Sequence, residues 1–69
     1  MKISARNQIH GTVVDIVKGA TTSHVRIDVG GGTILTASIT NESVDELKLK
    51  KGQKAHAIIK ASDVMVGVD

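Results

Sequence analysis

The sequence has no cysteine, no proline, and no phenylalanine, tyrosine or tryptophan among its 69 residues. Without cysteine there are neither disulfide staples nor thiolate metal sites. The three histidines, His10, His24 and His56, fall at spacings that match no metal motif. Without aromatic rings the core lacks its largest apolar anchors, and a ligand held by stacking has no platform. Net charge is small too: nine Lys+Arg against seven Asp+Glu give a formal +2. That balance tolerates a small anion but is far from the basic footprint of a nucleic-acid binder. No apolar run reaches transmembrane length, and no charged n-region precedes a long apolar segment. The chain therefore reads as cytoplasmic, with no membrane and no nucleic-acid partner.

A chain this short buries only about 60% of the surface that its unfolded form exposes. Such domains are usually reinforced by disulfides, a metal, aromatic anchors or association. Association is the route left here, so a homo-oligomer is expected, with subunit interfaces acting as a second core.

What the chain does have is β pattern. Gln8 to Lys18 is rich in β-branched residues, with Ile9, Thr12, Val13, Val14, Ile16 and Val17. Its near-continuous apolarity predicts a strand covered on both faces. Lys18 to Ser23 has turn character around Gly19. His24 to Val29 then alternates, with Val25, Ile27 and Val29 on one side. Gly30-Gly31-Gly32 predicts a hairpin tip, because the β-like residues after it do not supply the helix N-terminus that a phosphate loop needs. Thr33 to Thr40 follows as a third strand. Thr40 or Asn41 can cap a short helix in which Val44 and Leu47 share a face, and Gly52 closes the segment. The basic Lys48, Lys50 and Lys51 suit a solvated helix end. Gln53 to Lys60 and Asp63 to Val68 predict two last strands. The order is β-β-β-α-β-β in one domain, residues 1–69. That is an all-β, mainly β fold: a five-stranded OB-like Greek-key barrel with one short helix after the third strand.

Catalysis finds no support. Ser, His and Asp all occur, but no nucleophile elbow or paired carboxylates place them, so the chain reads as a non-enzyme with no catalytic cofactor. Single-strand binding fails for want of stacking residues. A small oxyanion fits better. Ser4-Ala5-Arg6-Asn7 puts a guanidinium, an amide and a hydroxyl just ahead of the first strand, and Lys60-Ala61-Ser62 repeats that chemistry near the other end. Together they supply two charges and several neutral donors, as a tetrahedral dianion requires. The two clusters can meet within one barrel or across an interface. On composition alone, ordinary surface charges are the slightly favoured reading of Arg6 and Lys60.

Ile3-Ser4-Ala5-Arg6-Asn7-Gln8-Ile9-His10-Gly11 and Ile59-Lys60-Ala61-Ser62-Asp63-Val64-Met65-Val66-Gly67 closely resemble the molbindin family of small molybdate-binding domains. Thr40 to Leu47 resembles that family's helix, so the likeness spans essentially the whole chain. The resemblance implies a hexamer, a trimer of dimers, that stores molybdate or tungstate at subunit interfaces in the cytoplasm. By position, Ser4, Ala5, Arg6 and Asn7 of one subunit would face Lys60, Ala61 and Ser62 of another. A second kind of site would use Lys18, Gly19, Ala20 and Thr22. There the chain departs from the family pattern, with Thr22-Ser23-His24 where members often carry an acid. A contrasting expectation is an oligomeric protein-interaction module that binds anions only incidentally.

Overall fold

The computed structural model describes residues 1–69. Strands β1 (Asn7–Lys18), β2 (Thr22–Gly30) and β3 (Thr33–Thr40) lead to helix α1 (Asn41–Glu46), strand β4 (Lys54–Ile59) and a 3-10 turn at Ala61–Asp63. All strand pairs are antiparallel, in the order β3-β2-β1-β4. The mainly β class and the helix after the third strand are as the sequence pattern predicts.

The fifth strand is not. Residues after Asp63 join no ladder, and Met65, Val66 and Val68 stand 93%, 92% and 94% exposed. Their Val-rich alternation is a strand pattern, but β propensity is realised only where an edge receives the strand. No residue after the 3-10 turn pairs with either free edge of its own sheet, so the barrel stays open between β3 and β4.

β1 also departs from expectation. Its register jumps between Val13 and Asp15, where Val13 pairs with Ile27 but Asp15 pairs with Arg26. The extra residue is a β-bulge, which reverses the inward phase of everything after it. Val13 faces the core before the bulge and Ile16 packs against it afterwards, while Val14 and Val17 are exposed. The continuous apolar run is thus two half-buried strands spliced at a bulge, not one strand covered on both faces.

β2 alternates as predicted, burying Ser23, Val25 and Ile27. Gly31 and Gly32 form the two-residue tip of the β2–β3 hairpin with φ of 61° and 81°. Two successive positive φ values match strand twist in the primed turns, and glycine adopts them without strain. Thr40 caps α1: its Oγ1 accepts from the Ser43 N–H at 3.1 Å. The cap lets Val44 reach the core beside Val13, Val25, Ile27 and Ala57.

Candidate functional site

The fold brings the two donor clusters together within a single chain. Asn7 opens β1 and pairs with Ile59 at the end of β4, and its Nδ2 donates to the Ile59 carbonyl at 3.2 Å. That clasp fixes the segment before β1 beside the segment after β4. Ile3, Ser4, Ala5, Arg6, Ile58, Lys60, Ala61, Ser62 and Asp63 line one open groove of about 630 Å³. What the resemblance divides between two subunits is therefore already juxtaposed in one. Asn7 itself lies outside the lining and acts as the fastener.

The donors in this groove are uncommitted. Arg6 and Lys60 form no ion pair, whereas Lys18 and Lys51 pair with Asp45 and Asp15 at 3.3 and 3.7 Å. The backbone N–H groups of Ser4, Ala5 and Arg6 precede the first ladder and donate to no backbone acceptor. On the other wall the 3-10 turn is closed by the Asp63 and Val64 N–H groups, bonded to the Lys60 and Ala61 carbonyls. That turn presents Ala61 and Ser62 to the groove. Two cations, two hydroxyls and free amides on one concave surface can bind a fully ionised oxyanion from several directions.

Sequence reasoning missed Asp63, the one acidic residue in the lining. Its adjacency to Ser62 in the sequence was the available signal. A carboxylate at this position opposes a bound anion and limits how tightly the groove holds it.

The turn formed by Lys18, Gly19, Ala20 and Thr22 is arranged differently. The Gly19 N–H donates to the Thr22 carbonyl at 2.7 Å. Asn41 Nδ2 donates to the Gly19 and Ala20 carbonyls at 3.1 and 3.4 Å, and the Asn41 N–H donates to the Thr21 carbonyl at 2.9 Å. Ser23, fully buried, donates to Asn41 Oδ1. Asn41 thus ties the turn to the helix, and Lys18 is neutralised by Asp45. The Thr22 hydroxyl remains free. This turn presents less positive charge than the groove at the chain ends.

An apolar cavity of about 410 Å³ lies under the open side of the sheet, lined by core residues such as Val25, Leu35, Ala55 and Ala57. No cluster of three or more His, Asp or Glu side chains converges as a metal site.

Comparison with known proteins agrees with this architecture. The TOBE domain model matches residues 3–66. The chain belongs to the TOBE domain family, in its molbindin branch. It is 52% identical to a probable molybdenum-pterin-binding protein of Haemophilus influenzae over the full length of both chains. It is 46% identical to molybdenum-pterin-binding protein 1 of Clostridium pasteurianum, covering 96% of this chain and 97% of that protein. Among solved structures, a molybdate-binding protein from Sporomusa ovata superposes with a TM-score of 0.92 at 43% identity, covering 99% of this chain and all of that one. The cytoplasmic molybdate-binding protein ModG superposes at 0.94 with 46% identity, covering this whole chain and 49% of that one.

Proposed function

We propose that this TOBE domain, residues 1–69, binds molybdate, and tungstate by the same chemistry, for intracellular storage of the oxyanion. The observation that carries the reading is the groove in which unpaired Arg6 and Lys60 converge with Ser4 and Ser62. Its relatives are named as binding proteins for molybdenum-pterin or molybdate. Between those two ligands the groove favours the bare oxyanion, because a pterin ring is held by stacking and this chain has no aromatic residue. Molybdate and tungstate share one charge and one tetrahedral shape, so a donor set that fits one fits the other. The groove offers donors and charge but no nucleophile–base pair, which supports a binding protein over an enzyme.

The working form is a homo-oligomer, with a trimer of dimers as the family expectation. The exposed tail supports this. Val64 to Val68 spans about 17 Å when extended, enough to run along five of the six residues of β4. Burying even two of its side chains in a second copy stabilises the contact by roughly 3–6 kcal/mol. The Lys18–Thr22 turn is a second, weaker oxyanion site whose charge must come from neighbouring copies.

Isothermal titration of molybdate, with sulfate as the control ion, tests the function. Micromolar or tighter molybdate binding with weak sulfate binding is expected. Indifference to both ions would leave an oligomeric interaction module instead.

A further inference from the structure

The outer face of the sheet carries two groups that oxyanion binding does not use. His10 on β1 and His56 on β4 are directly opposed in the ladder. Their rings meet edge to face, with centroids 4.5 Å apart at 64°. Both residues are exposed. Neither imidazole enters a hydrogen bond or ion pair within the chain. All four ring nitrogens are therefore free of protein partners.

Opposed positions on antiparallel strands hold their Cβ atoms about 4.5–5.5 Å apart, close enough for two side chains to share one ligand. Neutral imidazole suits the divalent first-row cations Ni²⁺, Cu²⁺ and Zn²⁺. We propose that His10 and His56 form a two-imidazole chelate for a divalent transition-metal cation, separate from the oxyanion groove. The backbone ladder pre-organises the pair, so capture of the second imidazole is intramolecular. Water completes the coordination, since no third His, Asp or Glu joins the pair in a metal-holding cluster. The site is open and exchangeable, not a closed structural centre.

The charged neighbours are few. Lys54 lies two residues from His56 on the same face, and its Nζ donates to Thr12 Oγ1 at 3.4 Å. Asp28 shares a polar groove with His10, Thr12 and Lys54, and its Oδ1 accepts from the Gly30 N–H at 2.8 Å. One ammonium and one carboxylate largely offset each other, so the two imidazoles set the affinity. His24, exposed on β2 opposite Val17 and Ser38, has no imidazole partner. It serves as an internal single-ligand control.

The test is a Ni²⁺ titration of the assembled protein, followed by broadening of the imidazole resonances. His10 and His56 are expected to broaden together, at a Ni²⁺ concentration roughly tenfold or more below that needed for His24. His10→Asn and His56→Asn should each reduce the remaining partner to the His24 level, while His24→Asn and Arg6→Ala leave the pair's affinity unchanged. Equal broadening of all three histidines, or wild-type affinity in His10→Asn or His56→Asn, overturns the proposal. Neither outcome depends on whether molybdate binds.

Discussion

Arg6 and Lys60 are the side chains on which the oxyanion reading rests most directly. Each is exposed, unpaired and set on the rim of a concave surface rich in neutral donors. A hydrogen bond to a charged group contributes about 1.5–3 kcal/mol. Arg6→Ala or Lys60→Ala should therefore weaken molybdate binding roughly tenfold to a hundredfold by titration. Circular dichroism should be unchanged, because neither side chain contributes to the core. Asp63→Asn should act in the opposite direction. Removing the only carboxylate of the groove relieves repulsion, so titration should show tighter binding. If Asp63→Asn weakens binding, the carboxylate is instead holding a donor in place.

At the scale of elements, one close approach makes the sheet possible. A Cβ on Gly11 would lie 2.5 Å from Ile27 Cγ2 and 2.7 Å from the Asp28 carbonyl oxygen. β1 and β2 cannot yield without shifting the ladder, so Gly11→Ala should destabilise the fold by about 1–3 kcal/mol in denaturant unfolding. Thr40→Ala removes the cap of α1 and should cost about 1 kcal/mol. Much at this scale was legible in sequence. The alternation of His24 to Val29, the glycine tip and the Thr40 cap are local chemistry, and local chemistry is written in adjacent residues. The bulge at Val14 was not legible, since a phase reversal and a doubly covered strand give the same apolar run. The tail was misread for a related reason: Val64 to Val68 has strand composition, but whether a strand forms depends on an edge elsewhere. The His10–His56 contact lay hidden in a register that only strand pairing defines. The groove was half legible. Its donor types stand out in Ser4 to Asn7 and Lys60 to Ser62, yet their meeting within one chain follows from the β1–β4 ladder.

The whole molecule is a sheet left open on one side, with an apolar cavity under the gap and an apolar tail beyond its own edges. An open core and a bare tail are unfavourable in water, and each offers what the other lacks. Deleting Val64–Asp69, or placing a charge there with Met65→Asp, should lower the assembled mass seen by light scattering. The same variants should unfold at lower denaturant concentration. Unchanged mass would remove the tail from the proposed interface and leave another surface, such as the exposed face bearing Val14 and Val17, or a monomer. Because the tail begins directly after the groove's 3-10 turn, the proposed association and the proposed oxyanion binding would act on the same few residues. Ligand should then stabilise the assembly in proportion to its differential binding.

The central claim is that Ser4–Arg6 and Lys60–Ser62 together hold the oxyanion. A crystal grown with molybdate and measured at the molybdenum absorption edge addresses it without inference from affinity. The expected result is an anomalous peak within hydrogen-bonding distance of Arg6, Lys60 and Ser62. A peak confined to the Lys18–Thr22 turn, or none at saturating molybdate, would contradict it.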